Sequence, residues 1–238
     1  MKNVVIFGAS GHGGVVLDCL EKEGKYNVVG FLDSFKKKGR RHCGYEILGN
    51  EFDLPYLIDK YNISGGFVAV GDNWIRKNIV ERIAGISPEF EFISTVHPSV
   101  ILGRDVKIGN GVVVMPGVVI NANTEVGDFC ILNTFSSIDH DSIMQDYSSL
   151  APRVCIGGSF NLGKFSAICL GAQIIESISI GEHTVVGAGS LVVRDLDSFV
   201  LSYGSPARVI RTRQEGEAYL SLAKNTIKPV FSSVASNF

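Results

Sequence analysis

From Val96 onward every sixth residue of this chain is aliphatic or Met, through Leu102, Ile108, Val114, Ile120, Val126, Leu132, Ile138 and Met144. The series continues without a miss through Leu150, Ile156, Leu162, Ile168, Ile174, Ile180, Val186 and Val192. Neither an α-helix, with its period of 3.6, nor an ordinary strand, with its period of 2, produces such a pattern. A six-residue period is the signature of a parallel β-helix, in which three hexapeptides close one triangular coil. The aliphatic residue points inward and stacks on its equivalent one coil on. The position four later is mostly small or β-branched (Val100, Val106, Val112, Val118, Thr124, Cys130, Ser136, Ser142, Ser148), as a tight corner requires. Gly and Asn at corners tolerate left-handed backbone. Seventeen repeats make between five and six coils. A coil cannot cover its own ends, so both ends need caps.

The chain before Val96 follows another rule. An apolar run, Lys2 to Phe7, leads into Gly8-Ala9-Ser10-Gly11-His12-Gly13-Gly14 and an amphipathic stretch to about Glu23. A second run, Asn27 to Leu32, ends at Asp33. A third, Gly66 to Val70, meets Gly71-Asp72-Asn73 and a helical pattern from Trp74 to Ile83. Strands alternating with helices predict a small parallel βαβ sheet, Rossmann-like in plan. The expected organisation is an α/β domain over 1–94, a left-handed parallel β-helix over 95–213, and a C-terminal helix and tail over 214–238. The helical pattern from Gln214 to Lys224 would cap the far end.

Bulk properties narrow the function. The 238 residues are 45% hydrophobic and 19% charged, with net charge −2, an ordinary globular profile. A pI near 6.2 argues against nucleic acid as partner. No stretch approaches the roughly 18 apolar residues of a membrane helix. The N-terminus lacks a signal-peptide layout. Five cysteines without a CxxC pair read as reduced thiols, so the cytoplasm is the expected compartment. The cluster Lys36-Lys37-Lys38 with Arg40 and Arg41 reads as a solvated loop or an aid to anion binding.

A β-helix is a scaffold, and its chemistry has to be sought in particular side chains. His42 and His97 read as structural or solvated, and His183, beside Glu182, as a solvated corner. His140 differs, because Asp139 and Asp141 flank it at an outward corner. Carboxylates within reach raise imidazole basicity and fix its tautomer, which suits a general base. A zinc site would need about three converging ligands, and scattered histidines argue against one, so no metal is expected. Near the N-terminus the glycine-rich turn opens a helix and favours an anion such as a pyrophosphate. Asp33 lies where an acidic side chain could meet a ribose or base. The glycine spacing departs from GxGxxG, which disfavours an NAD-dependent dehydrogenase.

Taken together these motifs resemble the bacterial NeuD/PglD-type sugar acetyltransferases over nearly the whole chain. The resemblance rests on Ile6-Phe7-Gly8-Ala9-Ser10-Gly11-His12-Gly13, Gly71-Asp72-Asn73 with Arg76, and His97-Pro98. Asn133-Thr134, Asp139-His140-Asp141 and Gly204-Ser205-Pro206-Ala207-Arg208 complete it. It implies an acetyl-CoA-dependent N-acetyltransferase of a nucleotide-linked amino sugar, and a homotrimer with active sites between subunits. His140 becomes the general base, oriented by Asp141, with Asn133 close to the reacting centre. Gly11, His12, Asp33 and Gly71 fall where the family holds the nucleotide-sugar. Gly158, Leu170, Ala188 and Arg208 fall along the CoA path. Two positions depart from the pattern. Nine residues after His140, relatives often carry another His that touches the thioester; here it is Ser149. The acidic position after the second strand is often doubled, whereas Ser34 follows Asp33. O-acetylation of sialic acid is the alternative on the same scaffold. A non-catalytic nucleotide-binding assembly module is the alternative of another class.

Overall fold

The computed structural model describes residues 1–220. The N-terminal region contains β1 (Lys2–Phe7), α1 (Gly11–Glu23), β2 (Tyr26–Leu32), β3 (Arg41–His42), β4 (Tyr45–Gly49), α2 (Leu54–Tyr61), β5 (Ile63–Val68), α3 (Asn73–Ile86) and β6 (Glu91–Phe92). They form a six-stranded sheet in the order β3-β4-β2-β1-β5-β6. It is parallel except for the β3–β4 hairpin. A central parallel strand is covered on both faces, which is why Val4, Val5 and Ile6 of β1 are fully buried. The third strand begins earlier than its apolar run suggests. Gly65 and Gly66 lie inside β5, where an added Cβ would sit 2.6 Å from the Glu91 carbonyl oxygen and 2.7 Å from that of Val5.

From Thr95 the chain winds into a left-handed parallel β-helix of two-residue strands, from Thr95–Val96 to Leu191–Val192. Neighbouring strands pair in register eighteen residues apart, as Val113 with Ile131 and Ile131 with Ser149. The strands form three faces. The periodic aliphatic residues from Val114 to Val192 are all buried, whereas Leu102, in the first coil, remains exposed. Thr124, Cys130, Ser136, Ser142 and Ser148 are buried beside them, as expected of small corner residues.

Left-handed backbone recurs every sixth residue, from Asp105 to Gly189. Glycine fills only some of these corners; Asn123, Phe129, Phe135, Asp141 and Tyr147 adopt it as well. The glycines that follow the aliphatic residues serve close approach instead. A Cβ at Gly163 would lie 2.4 Å from the Glu182 amide nitrogen in the next coil.

One column of corners is aromatic. Phe129, Tyr147, Phe165, His183 and Phe199 stack with successive centroid separations of 4.9, 5.4, 4.7 and 4.8 Å. His183 therefore belongs to a packed ladder, 8% exposed, which corrects its reading as a solvated corner. Burial lowers its pKa. The α/β region docks along this ladder through Phe92 and Trp74. Offset and edge contacts of this kind add about 0.5–1.5 kcal/mol each beyond area burial. Arg76 of α3, fully buried, closes the junction. It donates to the carbonyls of Phe129 (2.9 Å) and Tyr147 (3.2 Å) on one side, and of Val70 (2.8 Å) and Gly71 (3.2 Å) on the other.

The coils end in an antiparallel hairpin, Val200–Gly204 with Ala207–Thr212. Residues 214–220 then form turns and bends, not the helix expected there. Gly216 interrupts any helix with φ +71°, and Glu217 is held by Arg211 and Arg213. The remainder of that expected helix and tail, 221–238, lies outside the described residues.

Candidate active site

His140 stands on an exposed corner with its side chain 57% accessible. Its Nδ1 lies 2.7 Å from Asp141 Oδ2. With Nδ1–H donating to that carboxylate, the Nε2 lone pair is left free. The coil before supplies the supports, each eighteen residues earlier. Asn123 Nδ2 donates to Asp141 Oδ1 (2.9 Å), and Asn121 Nδ2 donates to Asp139 Oδ1 (2.7 Å). Asp139 Oδ1 also accepts from the His140 backbone N–H (2.8 Å). Beneath the corner, the buried Thr124 and Ser142 hydroxyls donate to the carbonyls of Asp139 and His140 (3.1 and 3.2 Å). The hydrogen bond to Asp141 and the charge of Asp139 hold the His140 pKa above its ordinary value. From the following coil Gly158 lies under the ring, where a Cβ would fall 2.8 Å from Cε1 and Nε2. Sequence reading missed Asn121 and Asn123, although the eighteen-residue coil length points to both.

A cavity of about 410 Å³ opens between the α/β region and one face of the coils. It brings together His12, Gly71, Asn133, Ser149, Leu170 and Ala188. Apolar side chains, among them Ile131, Pro152 and Ile168, line most of it. Asn133 is fixed by donating Nδ2–H to the Leu150 carbonyl (2.9 Å). His12 sits in the first turn of α1 with its Nε2 buried and without a hydrogen-bond partner among the described residues. Burial, with Arg76 nearby, lowers its pKa to about 4, so it is neutral at pH 7 and free to exchange a hydrogen bond with a ligand. Tyr219, absent from the sequence reading, lines this cavity.

A second cavity, about 250 Å³, lies at the carboxyl ends of β1, β2 and β5, among Gly8, Ser10, Asp33 and Gly71. Parallel sheets bind ligands at such crevices. Asp33 turns inward on its own loops, its carboxylate accepting from the backbone N–H groups of Ala9, Phe35 and Lys36, all at 2.8 Å. Those bonds and Lys36 hold its pKa low against the opposing effect of burial. Asp33 lines the pocket with its carboxylate already engaged by the backbone. Gly11 opens α1 with nothing within 4 Å of an added Cβ. Glu51, another residue missed in the sequence, lines the same cavity, with hydrogen bonds from Ser34 and Arg82.

Within one chain His140 does not line either cavity. Gly158 lies against His140 and not beside Leu170 and Ala188. Arg208 is exposed in the terminal hairpin, also outside the cavity. Among the described residues no three His, Cys, Asp or Glu side chains gather as a metal site, and no helix is long and apolar enough to cross a membrane.

Residues 3–83 match the PglD N-terminal domain family. The fold superimposes on a histidine-to-asparagine variant of perosamine N-acetyltransferase from Caulobacter crescentus, in complex with CoA and GDP-perosamine. The TM-score is 0.82 at 33% identity, covering 89% of this chain and 98% of that one. The acetyltransferase domain of PglB from Neisseria gonorrhoeae, in complex with acetyl coenzyme A, gives 0.79 at 28% identity, covering 88% and 99%. GDP-perosamine N-acetyltransferase from Escherichia coli is 29% identical over 194 residues, 77% of this chain and 82% of that one. The chain belongs to the NeuD/PglD-type family of sugar acetyltransferases. It is an acetyl-CoA-dependent sugar N-acetyltransferase, with acetyl-CoA as co-substrate.

Proposed function

We propose that this enzyme acetylates the amino group of a nucleotide-linked 4-amino-4,6-dideoxy sugar, with GDP-perosamine the first candidate and His140 the general base. The observation that carries the reading is the coexistence in one chain of three parts. These are a pocket at the carboxyl ends of a parallel sheet, an apolar cavity beside it, and a carboxylate-oriented imidazole. Relatives that act on or bind GDP-perosamine support nitrogen over oxygen as the acceptor.

In this reading the β1–α1 turn and the Gly71 turn hold the nucleotide, with Gly11 leaving room and His12 contributing its neutral imidazole. The pantetheine and acetyl group of acetyl-CoA follow the apolar cavity past Leu170 and Ala188 towards Ser149 and Asn133. The sugar nitrogen attacks the thioester carbonyl carbon directly. A C–N bond forms and the C–S bond breaks. His140 Nε2 takes the proton from nitrogen and passes it to the departing thiolate of CoA, a contribution of about 10²–10⁴-fold for a positioned base. His140 lies outside the cavity of its own chain, which agrees with the homotrimer that the family resemblance implies, His140 of one subunit facing the cavity of the next. Gly158 and Arg208 then flank that shared groove. The five free thiols suit a reducing compartment, the cytoplasm.

The test is an acetylation assay read by mass spectrometry, offering acetyl-CoA with GDP-, UDP- and dTDP-linked 4-amino-4,6-dideoxy sugars and with free sialic acid. One acetyl group gained on a nucleotide-linked amino sugar supports the reading. Acetylation of sialic acid alone overturns it.

A further inference from the structure

The segment after the terminal hairpin crosses from the coils to the α/β region, and its Tyr219 and Leu220 line the 410 Å³ cavity. It is fastened at several points. Arg213, 7% exposed, donates to the His183 carbonyl (3.2 Å) and to that of Glu217. The Glu217 carboxylate pairs with Arg211. Gly216 lies against the Trp74 indole, where a Cβ would fall 2.7 Å from Nε1. Tyr219 follows, its hydroxyl 3.0 Å from the Gly71 carbonyl oxygen and 3.2 Å from Ser149 Oγ. Its backbone N–H points to Asp72 Oδ2 at 3.5 Å.

A phenol has one hydrogen to give. The Gly71 carbonyl can only accept, so Tyr219 donates to it, and the Ser149 hydroxyl donates to the phenol oxygen. Burial pushes the Tyr219 pKa up to about 12, so the group stays protonated. With its hydroxyl occupied on both sides by protein, Tyr219 offers a ligand its ring. The surrounding wall is also apolar, with Ile131, Pro152, Ile168 and Leu220. A fixed aromatic face in an apolar cavity discriminates by size, not by hydrogen bonding.

We propose that Tyr219, held across the cavity between Gly71 and Ser149, is a specificity-determining residue that forms the end wall for the acyl group and limits the donor to acetyl. The inference rests on the reading that this cavity receives the acetyl end of acetyl-CoA. The strap 213–220 thereby links acyl selection to the junction that Arg76 and Trp74 build. Each additional methylene against such a wall costs roughly 10- to 200-fold in discrimination.

The test compares kcat/KM of wild type, Tyr219→Phe and Tyr219→Ala with acetyl-, propionyl- and butyryl-CoA, at saturating amino sugar. Thermal unfolding reports on the fold of each. Wild type is expected to prefer acetyl-CoA steeply. Tyr219→Phe keeps the ring and should keep that preference. Tyr219→Ala should raise the butyryl-to-acetyl ratio of kcat/KM by at least about tenfold. A folded Tyr219→Ala enzyme with the wild-type ratio overturns the proposal. So does a changed KM for the amino sugar with the ratio unmoved, which would assign the ring to the acceptor. If wild type transfers acetyl to no amino sugar, the functional reading fails first, and that result is visible before any variant is made. Should Tyr219→Ala not fold, Tyr219→Leu removes ring volume while keeping an apolar filler and must show the same direction of change.

Discussion

The His140 ring packs against Gly158, one coil on in the same chain, with no space for a side chain between them. The two are also tied through the backbone, because the Ser159 N–H donates to the His140 carbonyl (2.8 Å). A methyl group at 158 would meet Cε1 and Nε2 at 2.8 Å, inside van der Waals contact. Gly158→Ala should therefore displace the imidazole without disturbing the coils. A shift of about 1 Å at a reacting group can cost on the order of 10²-fold. The expectation is a comparable loss of kcat with an unchanged unfolding temperature. Retained kcat would show that the ring does not act where this structure places it.

The pH profile carries a second expectation. Asp141, by its hydrogen bond, and Asp139, by its charge, raise the His140 pKa. A base works only when deprotonated, so kcat/KM should fall as pH drops through this raised value. Asp141→Asn removes the main cause, the pKa moves down, and the acidic limb should shift to lower pH. The plateau should fall by at least about tenfold, since the tautomer is no longer fixed by a carboxylate. A limb that stays put or moves up would contradict the assignment.

Arg76 is expected to matter for stability. Its guanidinium satisfies carbonyls of both regions, and among the described residues no carboxylate is one of its hydrogen-bond partners. Arg76→Met would strand those buried acceptors, at a cost of about 2–4 kcal/mol. Urea unfolding measures it. A loss below about 1 kcal/mol would mean that the junction does not depend on this residue.

Much of this was legible in the sequence because a coil interior repeats. The seventeen aliphatic positions fix which residue faces inward, and that alone placed His140 and Asp141 on an outward corner. What was missed lies at other separations. Asn121, Asn123 and Gly158 are neighbours of the His140 corner only when residues are compared eighteen apart. The same comparison would have shown Phe129, Tyr147, Phe165 and His183 as one stack. The place of Tyr219 and the contacts of Arg76 depend on how two regions pack together, and Glu51 on how loops meet within the α/β region, which no local period encodes. The C-terminal pattern suggested a helix, but Gly216 and the ion pairs of Glu217 hold 214–220 in turns.

Assembly gives a fourth expectation. If His140 of one subunit completes the cavity of the next, mixed trimers of His140→Asn and Ala188→Trp chains contain some intact sites. Unfolding and reassembling the two inactive variants together should restore part of the activity. No recovery, with heterotrimers verified by mass, would place each site within a single chain.

The most direct test of the central claim is single-turnover acetylation of GDP-perosamine by wild type and His140→Asn, with acetyl-CoA affinity measured by calorimetry on both. The variant should turn over at least about 10²-fold more slowly with the acetyl-CoA Kd unchanged. Near-normal turnover in the variant would contradict it and remove His140 from the reaction.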